Sequence, residues 1–248
     1  WLDNDFYGTT FSLNYKKDKI DFIAGGGYNR YEGKHYGNVL WTRSVILPEY
    51  NFQYYDDFST KNDLNVFAKL NYALTSKWNL FGDIQYRNVS YTANGNETGL
   101  VNDTFKFFNP KAGITFTVNE TNNFYFSYAR ANREPNRTDY EDGSPKPEKM
   151  NDFELGWRYN SEKAKVNINA YWMKYQDQLV LTGGLNDVGS PIRANSGKSY
   201  RLGIEMEAII VLSEKFLLRP NVTISSNKNQ DFVFERDGVL QNLGDTDI

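Results

Sequence analysis

Residues 164–172 read Ala-Lys-Val-Asn-Ile-Asn-Ala-Tyr-Trp, a stretch in which apolar and polar side chains alternate. Successive side chains of a β-strand point to opposite faces, so Val166, Ile168 and Trp172 would share one face. A helical period of 3.6 would scatter the same residues around an axis. The same alternation occurs in residues 64–74 and 200–212. These stretches predict strands with one apolar face.

About ten segments follow this pattern, and several are longer than the five or six residues usual in soluble sheets. A tilted strand needs about ten residues to cross a bilayer. The chain is therefore predicted to be all-β, with about ten long strands. The predicted strands are 6–15, 20–30, 60–74, 77–91, 107–118, 123–132, 150–159, 164–176, 198–212 and 215–227.

The connections between the strands alternate strictly between two kinds. Tight polar turns such as Lys16–Lys19 and Thr75–Ser76 alternate with long polar stretches. Compact soluble domains rarely use long structureless loops, whereas outer-membrane barrels alternate short periplasmic turns with long external loops. The pattern predicts an antiparallel up-and-down meander in a transmembrane barrel. The long stretches are 31–59, 92–106, 133–149 and 177–197.

Charged residues occupy the face opposite the apolar one. Arg158, Glu205 and Arg219 are examples, and we expect them to line the barrel interior. An Arg or Lys facing hydrocarbon near the midplane would cost roughly 2–4 kcal/mol, so such side chains should point to water. A soluble sheet with one dry face would also alternate. Strand length and loop asymmetry favour the membrane barrel over that alternative.

Composition narrows the function further. The 248 residues carry a formal net charge of −3, which argues against a nucleic-acid partner. Without cysteine the chain can form neither a disulfide nor a thiolate metal site. His35 is the only histidine; no catalytic or metal-binding motif surrounds it, and a solvated loop position is the simpler interpretation. We expect no enzymatic activity, no bound metal and no cofactor.

The long polar stretches offer candidate ligand contacts. Aromatic rings and arginines together can grip an anionic chelate or the face of a sugar. Two of these stretches, 31–59 and 133–149, combine both residue types. The candidate contacts are Tyr36, Trp41, Arg43, Tyr54, Tyr55, Arg133, Arg137 and Tyr140.

An ordered series of short motifs resembles the TonB-dependent outer-membrane receptors. The series spans about residues 100–205, and each motif is weak when taken singly. It consists of Asn109-Pro110-Lys111, Tyr128-Ala129-Arg130, Arg133-Glu134-Pro135-Asn136, Lys146-Pro147-Glu148, Asn151-Asp152-Phe153-Glu154-Leu155-Gly156, Tyr175-Gln176-Asp177-Gln178-Leu179 and Asn195 to Glu205.

The resemblance implies a 22-stranded barrel filled by a plug domain and energised through TonB. It implies a place in the outer membrane of a Gram-negative bacterium, in contact with lipid. Residues 1–248 would be an internal segment of that barrel, without the plug and the closing strands. The Tyr-Ala-Arg and Arg-Glu-Pro motifs resemble those of receptors that import iron, which favours a ferric chelate of the siderophore class as the cargo. The alternatives are a glycan importer of the same architecture and a soluble all-β binding module. An isolated segment with two unpaired edges should self-associate or adopt a partial barrel.

Overall fold

The computed structural model describes residues 1–43, 47, 49–96, 98–186, 189–236 and 239–248. Fourteen strands and one short helix follow one another within these ranges. Their bounds are β1 Leu2–Lys17, β2 Ile20–Val39, β3 Phe52–Ala73, β4 Trp78–Gly95, β5 Gly99–Thr117, β6 Asn122–Arg133, α1 Arg137–Glu141, β7 Glu148–Asn160, β8 Ala164–Gln176, β9 Leu179–Leu185, β10 Pro191–Asn195, β11 Lys198–Ser213, β12 Phe216–Leu218, β13 Asn221–Arg236 and β14 Val239–Asp247.

The strands form one long antiparallel sheet in which chain neighbours are also spatial neighbours. Its order is β1-β2-β3-β4-β5-β6-β7-β8-β11-β13-β14, with β12 paired to β11. Strands β9 and β10 form a separate two-stranded hairpin inside the long connection between β8 and β11. The predicted all-β meander is confirmed.

The strands extend further into the long connections than the alternation predicts. The predicted loop 31–59 contains the end of β2 and the start of β3, so the connection itself covers only 40–51. The predicted loop 92–106 shrinks to the few residues between β4 and β5. These extensions mix polar and apolar residues on both faces, which leaves no alternation to detect. Their backbone pairing continues without a break in register from Phe58 to Gly95.

The predicted strand 215–227 is divided in two. Arg219 and Pro220 separate β12 from β13. Proline has no N–H to donate to a ladder, which explains an interruption at this position. Arg219 is exposed within the interruption. A further strand, β14, follows β13 where no strand is predicted.

Strand register assigns every side chain to one of two faces. We call the face against which residues 134–147 pack the inner face, and the opposite one the outer face. Large apolar side chains dominate the outer face: Leu70, Ile204 and Ile224 are 41%, 55% and 74% exposed. Arg158 and Glu205 lie on the inner face. Among the described residues, no helix is long and apolar enough to cross a membrane.

Candidate functional site

The connection between β6 and β7, residues 134–147, folds back across the inner face; we call it the strap. It begins with Glu134 just beyond β6, yet its side chains reach the inner faces of β5, β4, β3 and β2. Neighbouring strands lie about 4.8 Å apart, so the strap crosses about 19 Å of wall. Helix α1 lies within it, and the Asn136 side chain caps the helix by accepting a hydrogen bond from the backbone N–H of Asp139. Three side chains of the strap anchor it to the wall.

Glu134 is the first anchor. Its carboxylate accepts a hydrogen bond from Lys61 at 2.6 Å and two from Arg87, at 2.6 and 2.8 Å. Arg87 also pairs with Asp63 at 2.6 Å. Burial alone would raise the pKa of Glu134, but the hydrogen bonds from Lys61 and Arg87 outweigh it and hold the pKa below its usual value. The carboxylate therefore stays ionised and joins the strap to β3 and β4.

Arg137 is the second anchor. Its guanidinium donates to Asp57 at 3.0 Å and to Glu141 at 2.8 Å, and lies 2.7 Å from Nδ1 of His35. A neutral His35 can accept that hydrogen bond. Burial, and then the charge of Arg137, lower the pKa of His35, although Asp57 and Glu141 partly oppose this. His35 is thus a strand residue engaged with the strap, and the expectation of a solvated loop histidine is wrong.

Tyr140 is the third anchor. Its hydroxyl donates to Asp103 at 2.7 Å, and its ring centroid lies 5.4 Å from that of Tyr91. Ala93 and Val101 complete this small buried cluster on the inner faces of β4 and β5. Burial, followed by the contact with Asp103, raises the pKa of the Tyr140 hydroxyl, which therefore stays protonated and keeps its donor role.

The strap also holds the β9–β10 hairpin. Asn195 accepts a hydrogen bond from the Lys146 backbone N–H at 2.8 Å and donates one to the Lys146 carbonyl at 3.0 Å. The backbone N–H of Arg193 donates to Asp142 at 3.3 Å, and Glu148 accepts from the backbone N–H of Leu179 at 2.5 Å. The two long connections are therefore joined, and both are tied to the wall through the strap.

The remaining candidate contacts fall into two places. Tyr36 lies near the end of β2, paired in register with Asp56, and Tyr54 and Tyr55 lie near the start of β3, with their ring centroids 4.9 Å apart. Trp41, 77% exposed, and the exposed Arg43 follow in the connection beyond β2. Arg133 lies apart from them at the end of β6, paired with Glu148 at 2.7 Å. Among the eight, the structure brings Tyr54 and Tyr55 into contact and places Arg137 and Tyr140 together on the strap.

The inner wall further from the strap carries the predicted interior charges. The guanidinium carbon of Arg158 lies 4.2 Å from the ring centroid of Tyr125. Arg158 and Glu205 occupy neighbouring register rows of the inner face, opposite Asn167 and Asn169 of β8. Arg219 lies in the interruption between β12 and β13. In the described part of the chain, no group of three or more His, Asp or Glu side chains could hold a metal ion.

Several residues of the strap network are absent from the sequence-based candidates. Lys61, Asp63 and Asp103 lie in segments predicted only as strand or loop, and Arg87 was expected only as a charge on the face opposite the apolar one. Glu134 belongs to the Arg-Glu-Pro-Asn motif, so the motif itself was the available signal. Its partner Lys61 is 73 residues away in the chain, and no spacing rule connects them.

The geometry defines a class: a continuous antiparallel wall, apolar outside and charged inside, with its long connections gathered at one end. Comparison with protein families matches residues 2–243 to the family described as TonB dependent receptor-like, beta-barrel. The chain belongs to this family. It is a segment of a TonB-dependent receptor barrel and not an enzyme. No curated protein matches the chain.

Solved structures of similar fold include transporters and receptors. The copper transporter OprC is 18% identical, with a TM-score of 0.74 over 92% of this chain and 38% of that one. The siderophore receptor PiuA from Acinetobacter baumannii is 14% identical, with a TM-score of 0.70 over 97% and 41%. The ferric-catecholate import receptor Fiu from K12 E. coli is 16% identical, with a TM-score of 0.63 over 94% and 39%. The chain spans about two fifths of these proteins.

Proposed function

We propose that residues 1–248 form part of the barrel wall of an outer-membrane receptor that imports a ferric chelate of the siderophore class. The family match over residues 2–243 supports the receptor wall, and the similar folds of the siderophore receptor PiuA and the ferric-catecholate import receptor Fiu favour a ferric chelate as cargo. In this proposal the outer face contacts membrane lipid, and a plug domain and further strands of the same receptor complete the barrel. TonB would supply energy through the plug. The inner charges of Arg158, Glu205 and Arg219 would face that plug.

The candidate ligand site lies at the end of the barrel where the long connections gather. Tyr36, Tyr54 and Tyr55 supply aromatic faces, and Trp41 and Arg43 add an exposed ring and an exposed cation. This combination suits an anionic, aromatic-rich chelate. Arg133, Arg137 and Tyr140 complete the proposed contacts, and the last two already hold the strap that would form the floor of the site.

A gene deletion tests the cargo. The deletion strain should grow as wild type on simple iron salts and fail when iron is supplied only as a ferric siderophore. Complementation with the Trp41→Ala, Arg43→Ala double variant should restore growth only at a siderophore concentration roughly tenfold to hundredfold higher, corresponding to about 1.4–2.8 kcal/mol of lost binding. The Lys163→Ala variant in a short turn is the matched control and should restore growth fully.

The same strains separate the alternatives. A defect confined to growth on a polysaccharide would favour the glycan importer. A defect confined to copper limitation would favour copper as cargo, the metal that gives the copper transporter OprC its name. Either result would refute the ferric-chelate proposal while leaving the family membership unchanged.

A further inference from the structure

The wall contains a seam at which the pairing between β5 and β6 stops partway along the strands. Strand β5 pairs with β4 from Gly99 to Phe116. It pairs with β6 only from Lys111 to Thr117. Within the described residues, no other strand pairs with residues 99–110. This part of β5 therefore has a neighbouring strand on one side only, and we call its other side the free edge.

A proline marks the point at which the seam opens. Along an antiparallel strand, successive residues direct their backbone hydrogen bonds to opposite neighbours. Thr117 donates its N–H to Lys77 beside β4, whereas Val118 donates to Asn122 at the start of β6. The even-numbered residues of β5 thus point towards β6. Pro110 is one of them, and it has no N–H to donate. The Asn-Pro-Lys motif therefore sets the end of the ladder.

The side chain of Asn132 bridges the lower end of the seam. It donates hydrogen bonds to Oδ1 of Asn109 at 2.7 Å and to the backbone carbonyl of Phe108 at 3.4 Å. Beyond this point β6 ends, and the strap turns inward. The even-numbered residues from 100 to 106 then direct backbone N–H and C=O groups away from β4, towards a side without a partner strand. An edge of this kind is a template for pairing with another chain.

A crevice of about 360 Å³ runs beside the free edge, between β5 and the ends of β6 and β7. Strand register places Lys106, Arg130 and Lys149 on its outer side. Phe105 of the inner face and Pro147 of the strap line its other side. A strand that entered this crevice would meet cations on one of its faces and apolar side chains on the other.

The cations of the crevice are not neutralised by the protein. Within the described residues, no carboxylate lies within 4.0 Å of Lys106, Arg130 or Lys149, whereas Arg133 beside them pairs with Glu148 at 2.7 Å. The Nε of Arg130 is buried and lacks a hydrogen-bond partner. A buried donor without an acceptor is unfavourable, so a carboxylate that accepted from it would be favoured. The charge of the crevice thus selects an acidic occupant.

We propose that the free edge of β5 binds an extended, acidic segment of a second polypeptide by strand addition. The segment pairs antiparallel with residues 100–108, because antiparallel pairing is the more stable kind and is used throughout the wall. Its carboxylates lie beside the three cations, and its alternate, apolar side chains lie beside Phe105 and Pro147. The proposal rests on the proposed function for one point only: this end of the wall faces the cell exterior, so the partner is an extracellular protein.

The test uses the full-length receptor in detergent and labelled, capped peptides. The probe has four Val-Glu repeats, which extend over about 27 Å as a strand and match the free edge in length. Residues that exchange hydrogen bonds across an antiparallel pair lie on the same face, so the glutamates direct their N–H groups at β5 and the valines direct theirs away. The controls are four Val-Lys repeats, the probe N-methylated at every glutamate, and the probe N-methylated at every valine.

Fluorescence anisotropy measures the affinity of each peptide. The Val-Glu probe should bind at least about tenfold more tightly than the Val-Lys peptide, because three unpaired cations discriminate between them. Methylation of the glutamates should weaken binding by more than about tenfold, because the edge hydrogen bonds are lost. Methylation of the valines should leave the affinity unchanged. Bound probe should also slow amide hydrogen exchange in residues 100–108.

A proline in the receptor tests the edge from the other side. Thr104→Pro removes an N–H that points away from β4, so the pairing of β4 with β5 is kept. This variant should bind the Val-Glu probe about tenfold more weakly, through one lost hydrogen bond and the clash of the ring with the added strand. Thr104→Val keeps the N–H and is the matched control, with unchanged affinity.

A second variant tests the cations. Replacing Lys106, Arg130 and Lys149 together by glutamine should weaken binding of the Val-Glu probe about tenfold, since each partly exposed pair contributes little by itself. The matched control replaces three exposed lysines of the short turns by glutamine and should bind as wild type does. These lysines are Lys17, Lys163 and Lys215.

Equal binding of the two N-methylated peptides would overturn the proposal, because strand addition uses only one set of N–H groups. Equal affinity for the acidic and basic peptides would overturn it as well. Failure of the full-length receptor to bind the probe would mean that one of its own segments covers the edge, which also excludes the proposal. Heat-dependent gel migration verifies that each variant is folded. Growth on a ferric siderophore does not involve this edge, so either proposal can fail without the other.

Discussion

Single ionised side chains determine how the strap is held. Glu134 neutralises Lys61 and Arg87 together, and only 7% of its side chain is exposed. Removing one member of a buried ion-pair network leaves uncompensated charge, which costs more than the intact pair contributes. The strap should therefore depend on Glu134 far more than on the exposed carboxylates of the same chain.

We predict that Glu134→Gln weakens the strap by about 3 kcal/mol, because Lys61 and Arg87 lose their shared anion. Limited proteolysis of the full-length receptor should then cut residues 134–147 much faster than in wild type. Glu120→Gln, in an exposed short turn, is the control and should leave the cleavage rate unchanged. Equal cleavage of wild type and Glu134→Gln would show that the network does not hold the strap.

His35 gives the strap a pH dependence. The pKa of His35 is lowered from its ordinary 6.5 in the folded protein. Between the folded pKa and pH 6.5, the state in which the strap is open or unfolded therefore binds more protons than the folded state. The stability that His35 contributes to the docked strap is fully present above pH 6.5, and it is lost as the pH falls through the folded pKa. Protonation would place a cation against Arg137, although Asp57 and Glu141 reduce the effect.

We predict that cleavage of the strap accelerates as the pH falls from about 7.5 towards about 5 in wild type. In His35→Gln the amide oxygen can still accept from Arg137 but cannot titrate, so the acceleration over the same range should be much smaller. Cleavage of an unstructured peptide of the strap sequence corrects for the protease itself. Identical pH profiles for the two receptors would exclude His35 as the cause.

At the level of elements, β6 and β7 pack through an aromatic ring laid over a glycine. Tyr125 lies opposite Gly156, and a Cβ added at Gly156 would overlap the Tyr125 ring. The same ring contacts Arg158, and its hydroxyl donates to Asn169 at 3.0 Å. The glycine is needed here for close approach and not for an unusual backbone conformation.

We predict that Gly156→Ala destabilises the folded barrel by about 1–3 kcal/mol, because the ring must move. Gly82→Ala is the matched control, since nothing lies within 4 Å of the added Cβ in the described structure. Urea unfolding in lipid vesicles measures both. In the Tyr125→Ala background the cost of Gly156→Ala should largely disappear, and a cost that persists would mean that the ring is not the obstacle.

The elements were predictable from sequence to unequal degrees. Strands with one apolar face, such as β8 and β11, were predicted almost to the residue. A strand with one apolar and one polar face has a sequence in which apolar and polar residues alternate with a period of two. The ends of β2 to β5 away from the short turns were missed because apolar and polar residues mix on both faces there, while the backbone pairing continues. The β9–β10 hairpin was missed because it lies in a long polar connection. Strand β14 was missed because the alternation of apolar and polar residues stops where Gly244 follows Leu243.

The candidate site was predictable only in composition. The connections rich in aromatic residues and arginine indicated where a ligand could bind. Contact between the ligand and the eight named residues stays a prediction. The strap could not be predicted, since its contacts with the wall join residues 37 to 102 positions apart. Side-chain contacts between residues so far apart in the chain depend on which strands the sheet brings close together. They produce no recognisable pattern in the local sequence.

For the whole molecule, the two faces of one wall should meet different media. We predict that nitroxide labels at Leu70, Ile168 and Ile204 in the full-length receptor, reconstituted in lipid, are relaxed by oxygen, which concentrates in hydrocarbon. Labels at the adjacent inner positions Asn71, Asn169 and Glu205 should respond instead to a water-soluble nickel chelate. Aqueous behaviour of the first set would contradict a lipid-facing wall.

The reach of the strap has a consequence for the order of barrel assembly. Residues 134–147 cannot find their partners until β2, β3, β4 and β5 are already paired, because the anchoring carboxylates and rings come from all four. The strap therefore docks late in folding, after strands β2 to β5 have paired. Pulsed proteolysis during refolding should find residues 134–147 protected only after the β2–β5 sheet has formed; earlier protection would disprove this sequence of events.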